Sequence, residues 1–265
     1  MLDAYPSLYG MYKADDGNTE VFYSYLLGLR KRNGWKNLVK DEITILGNDC
    51  KIYADSDPEY LLIRPFADHD ENELDEEVKR LRNKVGSPFL LAAFKVGDWN
   101  QELTPWESDA AFGNERFGAG AKDTLAYVEN DLIPEVLKRY PATEKLPVIL
   151  GGYSLAGLFC LWAGYESDHF SLIAACSPSV WYPGWIEYAG EHAPRTKKVY
   201  LSLGKKEEKT KNKLMGTVGD CIRKQHEIFA NIEGMSVTLE WNEGNHFADV
   251  PERMAKGFAW CMGKK

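Results

Sequence analysis

Ser154 is the residue whose setting points most directly to chemistry. It lies in Leu-Pro-Val-Ile-Leu-Gly-Gly-Tyr-Ser-Leu-Ala-Gly, residues 146–157. Val148, Ile149 and Leu150 form a short apolar run of the kind that makes a buried strand. Gly151 and Gly152 follow, then the serine turn, then an apolar run from Leu158 to Trp162 that reads as a helix. A hydroxyl held on a tight strand-to-helix turn stands exposed as a nucleophile, and crowding there demands tiny residues two places before and after it. Gly152 and Ala156 occupy those places, alanine standing where a second glycine is usual, with Gly157 behind it. The Leu155 N–H, at a helix N-terminus, would face a developing oxyanion. The same residues also fit a glycine-rich turn with an ordinary capping serine, so partners elsewhere in the chain decide.

A serine nucleophile needs a base, and the base needs an acid to orient it. Of the five histidines, His246 has the fitting context. Residues 235–241 alternate apolar and polar side chains as a strand does. Residues 242–245 carry turn chemistry, and residues 247–260 read as the last helix. For the acid, Lys198 to Leu203 reads as a strand closed by Gly204, followed by Lys-Lys-Glu-Glu-Lys at 205–209. Glu207 is the preferred acid and Glu208 its alternative. Asp249 is a weaker candidate, because it shares a local segment with His246. A mixed Lys/Glu run also fits a merely solvated turn.

The second oxyanion donor is expected on a loop after an earlier strand. Pro88 to Phe94 is taken as that strand, and the Val96 N–H, or that of Lys95, as the donor. Two aromatic-rich loops, 99–106 and 180–185, follow strands whose ends should ring the site. Trp99, Trp181 and Tyr182, with Tyr153 beside the serine, are the candidate substrate contacts. Such rings can stack on a sugar or phenolic ring, and they serve equally well as packing under long loops.

Four segments resemble a known family: Gly-Gly-Tyr-Ser-Leu-Ala-Gly (151–157), Ser-Pro-Ser-Val-Trp (177–181), Tyr-Leu-Ser-Leu-Gly-x-x-Glu-Glu (200–208) and Gly-Asn-His-Phe-Ala-Asp-Val-x-x-Arg (244–253). In order and spacing they are similar to the putative-esterase group of α/β-hydrolases, which includes esterase D-like, feruloyl-esterase-like and ferric-enterobactin-esterase-like enzymes. The resemblance covers roughly residues 85–263 and stops short of residues 1–57. It implies the α/β-hydrolase fold and a serine esterase with no metal or organic cofactor, and it does not identify the substrate; a small or carbohydrate-linked ester is the expected one. Ser154 would be the nucleophile and His246 the base, with Glu207 or Glu208 as acid. A thioesterase or small-peptide hydrolase is the alternative on the same fold. A hydrolase-like binding protein without turnover is a third reading, since fold alone does not establish function.

The elements that must position these residues follow from periodicity. Strands are expected near 42–46, 50–54, 60–66, 88–95, 146–151, 171–176, 198–203 and 236–241. Helices are expected near 19–33, 70–84, 118–140, 155–166, 211–231 and 248–263. From residue 60 onward strands and helices alternate, which calls for a mostly parallel central sheet with helices on both faces. The opening hairpin would be its antiparallel edge. Val21, Phe22, Tyr25, Leu26 and Leu29 form a helical stripe expected to pack on that sheet. A single domain over 1–265 suits the chain's 265 residues.

The net charge of −8 speaks against a nucleic-acid partner, and it disfavours a pocket for highly anionic substrates unless local charge overrides it. No stretch has the length of a membrane span, and no basic-then-apolar leader opens the chain. A cytoplasmic location is therefore expected. The five cysteines are scattered without metal-ligand spacing. The sequence leaves the oligomeric state open.

Overall fold

The computed structural model describes residues 38–263, apart from 69 and 112. The helix expected at 19–33, with its apolar stripe, lies outside the described residues. Among the described residues the eight strands are β1 (Val39–Ile45), β2 (Asn48–Ala54), β3 (Tyr60–Phe66), β4 (Phe89–Lys95), β5 (Val148–Tyr153), β6 (Leu172–Cys176), β7 (Lys198–Gly204) and β8 (Ser236–Asn242). They form one sheet in the order β1-β2-β4-β3-β5-β6-β7-β8. β1 pairs antiparallel with β2, and β2 antiparallel with β4; every other pairing is parallel. The expected antiparallel edge hairpin is present.

The central strands are almost wholly apolar because both faces are covered. Helices α1 (Leu74–Lys84), α2 (Trp99–Glu102), α3 (Ala121–Tyr127), α4 (Ile133–Arg139), α5 (Leu155–Glu166), α6 (Trp185–Glu191), α7 (Val218–Ala230) and α8 (Val250–Cys261) complete the described chain. Alternation along each strand splits the core in two. Leu62, Phe66 and Leu91 pack with Val78 and Leu81 of α1 and with Met254 and Phe258 of α8. Ile63, Leu90 and Leu150 face the other way, toward Val128, Leu158 and Ile222.

The helix expected over 118–140 is interrupted by a π turn, Val128–Leu132, between α3 and α4. Pro134 stands near the start of α4. It has no N–H for the carbonyl four residues back, and the wider turn just before it absorbs that loss. Two short helices, α2 and α6, occupy stretches expected to be loops. α2 is capped by the Asp98 side chain, which accepts from the Asn100 and Gln101 amides at 3.1 and 3.0 Å.

The β3–β5 pairing bears directly on the site. Leu61, Leu62 and Ile63 stand opposite Val148, Ile149 and Leu150. β3, not β4, is therefore the neighbour of the strand that leads to Ser154. The loop that starts at Ala67 takes the place assigned above to the loop after β4.

Candidate active site

Ser154 sits between the last residue of β5 and the first of α5 with φ 59 and ψ −124. A non-glycine residue in this region carries strain of about 1–3 kcal/mol, so the surroundings must hold it. The Ser154 N–H donates to the Cys176 carbonyl at 3.2 Å, and the Ser154 carbonyl accepts from the Ser179 N–H at 3.0 Å. The turn is thus tied to the end of β6. A Cβ on Gly152 would stand 2.4 Å from the Ala156 carbonyl oxygen, and one on Gly157 3.0 Å from Pro178. The small residues around the serine are steric requirements of this turn. Leu155 is the first residue of α5, so its amide is one of those that a helix leaves without an internal partner.

Ser154, His246 and Glu207 line one cleft of about 340 Å³. His246 Nδ1 lies 2.7 Å from Glu207 Oε2. The Glu207 side chain is only 4% exposed and His246 27%. The other carboxylate oxygen, Oε1, accepts from the Gly204 amide at 2.6 Å, the Ser177 hydroxyl at 2.8 Å and Arg253 at 2.9 Å. Burial pushes the Glu207 carboxyl up, but its bond to His246, the charge there and the Gly204 and Ser177 donors outweigh that, and it sits below the usual carboxylate range. An ionised Glu207 makes Nδ1 the protonated nitrogen of a neutral imidazole and leaves Nε2 as the proton acceptor.

Glu208 turns away and meets Arg223 at 3.0 Å. Asp249 precedes α8 with φ 55 and binds Arg80 at 2.5 Å. Neither of these two alternative acids is brought to His246.

Arg253 of α8 ties the site together. Its guanidinium is buried and donates to Tyr153 Oη at 2.8 Å, to Ser177 Oγ at 3.1 Å and to Glu207. It also donates to the Glu243 and Asn245 carbonyls, both at 2.9 Å, just ahead of His246. The Tyr153 hydroxyl donates onward to the His246 carbonyl at 2.7 Å. Tyr153 therefore lies beneath His246 as a support, buried and outside the cleft lining. This corrects its expected role as a substrate contact. The chain offered a signal for Arg253, since it ends the 244–253 segment, but nothing local says that it turns inward.

The aromatic loops divide. Trp181 lines the cleft. Tyr182 is buried and packs on Phe117 and Trp106, with its hydroxyl donating to the Trp106 carbonyl. Trp99 packs half-buried against the core in α2. Neither Tyr182 nor Trp99 is part of the cleft lining, so most of these rings do structural packing. The cleft instead contains Ser179, whose hydroxyl is 3.5 Å from that of Ser154, together with Met215, Val218 and Phe247.

The Val96 amide is not available as an oxyanion donor, because it bonds the Phe66 carbonyl at 2.8 Å and so extends the β3–β4 ladder. Lys95 is the last residue of β4, a further strand away from Ser154 than β3. Its ammonium pairs with Asp68 at 2.6 Å. The sequence could not reveal this, because Leu61–Ile63 and Leu90–Ala92 are equivalent apolar runs whose order in the sheet is not local information.

Solved structures with this fold include the siderophore hydrolase EstB from Aspergillus nidulans (15% identity, 83% of this chain and 93% of that one, TM-score 0.65). An IroE-like serine hydrolase from Shewanella oneidensis aligns with 13% identity over 84% of this chain and 79% of its own, with TM-score 0.70. The BES protein from Bacillus cereus aligns with 17% identity over 85% and 94%, with TM-score 0.58. At these identities the likeness is one of fold. No curated protein sequence matches the chain. The family model described as "Putative esterase" matches residues 88–246, more than half the chain and a span that contains Ser154, Glu207 and His246. The chain belongs to this esterase family of ester hydrolases.

Proposed function

We propose that the chain hydrolyses a small carboxylic ester through an acyl-enzyme on Ser154. His246 Nε2 takes the hydroxyl proton as Oγ attacks the ester carbonyl. The Leu155 amide and a donor from the loop after β3 receive the oxyanion. Glu207 holds the imidazole and stabilises the imidazolium that forms. The tetrahedral adduct collapses, and the alkoxide leaves with the proton from His246. Water, deprotonated by the same nitrogen, then releases the acid and restores the serine. The single observation that supports this reading is the Glu207–His246 bond in the cleft that also holds the strained Ser154 turn. A cleft of about 340 Å³ is at the small end for ligand sites, which favours a compact ester. The five cysteines are free thiols, four of them buried, in keeping with a reducing, cytoplasmic setting.

Fluorophosphonate labelling with peptide mapping tests the proposal. A single adduct on Ser154, absent from Ser154→Ala and His246→Ala, is the expected result. No adduct under conditions that label a control esterase would favour a binding protein without turnover.

A further inference from the structure

We propose that the ester processed here carries a negative charge, held at the cleft by Lys206 and Lys209, with its apolar part against Phe247. This rests on the esterase reading above and names the substrate class for the same site.

Lysines recur at 205, 206, 209, 211 and 213, beside Glu207 and Glu208. A mixed run of this kind usually neutralises itself in solvent. Here it does not, because both glutamates are used elsewhere. Glu207 turns inward to His246 and Arg253. Glu208 turns outward to Arg223. Lys205 pairs with Glu243, whose carboxyl is held down first by Lys205 and more weakly by Lys206. Lys206 and Lys209 line the cleft, and no ion pair of either is found among the described residues. Among the described residues, the only carboxylate in the cleft lining is Glu207, already satisfied from four sides. The mouth is therefore locally cationic on a chain of net charge −8. Local charge outweighs net charge in a cleft, because low-dielectric walls focus the field there.

The apolar half of the lining complements this charge. Phe247 is 84% exposed and stands edge-on to the His246 ring, with centroids 5.3 Å apart. Isolated exposed apolar side chains are ordinary. This one flanks the base and shares the cleft with Met215, Val218 and Trp181. Such a surface suits a substrate with an apolar body and an anionic group. Two exposed lysines give an expected preference of about fivefold to tenfold.

The test uses two matched ester pairs, each rate normalised to uncatalysed hydrolysis. One pair places the charge on the acyl side: 4-nitrophenyl butyrate against mono-4-nitrophenyl glutarate. The other places it on the alcohol side: phenyl acetate against 4-acetoxybenzoate. In at least one pair the anionic member should show the higher kcat/KM. The Lys206→Ala/Lys209→Ala protein should lower that anionic-to-neutral ratio by about fivefold to tenfold, and added salt should do the same. Lys224→Ala, on α7 and paired with Glu227, should leave the ratio unchanged. Turnover of the neutral esters with no preference in either pair, or a ratio indifferent to the double substitution, overturns the inference and leaves the esterase reading intact. Turnover of no ester, with no phosphonyl adduct on Ser154, removes both.

Discussion

Glu207 Oε2 lies 2.7 Å from His246 Nδ1, while the adjacent Glu208 points the other way and meets Arg223 at 3.0 Å. Two neighbouring carboxylates thus have separate assignments. In the Glu207→Gln protein the amide can present its NH₂ to the ring and favour the wrong imidazole tautomer. We expect kcat to fall by about 10³–10⁴-fold, as loss of an orienting carboxylate does in serine hydrolases generally. Glu208→Gln, which removes only a half-exposed ion pair, should change kcat by less than about twofold. Steady-state kinetics on an activated ester checks both. Comparable losses in the two proteins would contradict the assignment.

Arg253 acts through other residues and is a positioning residue. It donates to Glu207 and to the carbonyls of Glu243 and Asn245, so it joins the acid to the turn that carries the base. Arg253→Met leaves Glu207 without a buried cationic partner and should cost about 3–5 kcal/mol of stability. Arg253→Lys keeps the charge but cannot span the same set of acceptors. In a folded Lys variant we expect kcat to drop by at least about tenfold while KM changes little, because orientation and not substrate contact is lost. Urea unfolding and a kcat-against-KM comparison separate the two effects. A Lys variant with unaltered kcat would show that Arg253 is only structural.

Gly152 and Ala156 face each other across the serine turn. A methyl at 152 would come within 2.4 Å of the Ala156 carbonyl oxygen, a backbone atom that cannot swing aside. Gly152→Ala should therefore destabilise the protein by about 1–3 kcal/mol or more and abolish fluorophosphonate labelling. Ala156→Gly relieves no clash and costs only about 1 kcal/mol of helix propensity, so it should keep its label. Thermal unfolding and labelling of both proteins decide the matter. The alanine that departs from the expected glycine is compatible with the turn.

Ser154 and His246 were legible in the chain because each lies between a strand and a helix that local sequence carries: continuous apolar runs on both sides of Ser154, and a strand of period 2 followed by a helix with one apolar face at His246. Glu207 was legible only as one of a pair, since facing inward or outward at adjacent positions depends on Arg253 and Arg223. The second oxyanion loop was misplaced because the order of β3 and β4 in the sheet is a long-range property. Tyr153 is the clearest case of hidden information. Its hydroxyl contacts the His246 carbonyl and Arg253, 93 and 100 residues away, so nothing near it in sequence reveals a support in place of a substrate contact.

Arg64, on β3, is buried between two carboxyl groups. Its Nε lies 2.9 Å from Glu77 Oε2, and its Nη1 lies 3.2 Å from Asp70 Oδ2. One guanidinium cannot balance two carboxylates in a dry interior. Burial pushes the Glu77 carboxyl up to about 7, against the pull of Arg64 and with Asp70 adding to the rise. The sign follows from linkage. A carboxyl whose folded value exceeds its ordinary value of 4.5 binds more protons in the folded state between those two values, so stability falls as pH rises through that window. Glu207 acts in the opposite sense: its lowered value makes a contribution that is present above the ordinary range and lost as pH falls below it. Glu77→Gln removes the first dependence and leaves the second. Urea unfolding of both proteins at about pH 5.5 and about pH 8 should show that only the wild-type chain loses a Glu77-linked contribution on the alkaline side. The stability difference between wild type and variant should therefore shift in the variant's favour as pH rises. A difference that stays constant between those pH values would mean that Glu77 remains ionised throughout, paired with Arg64.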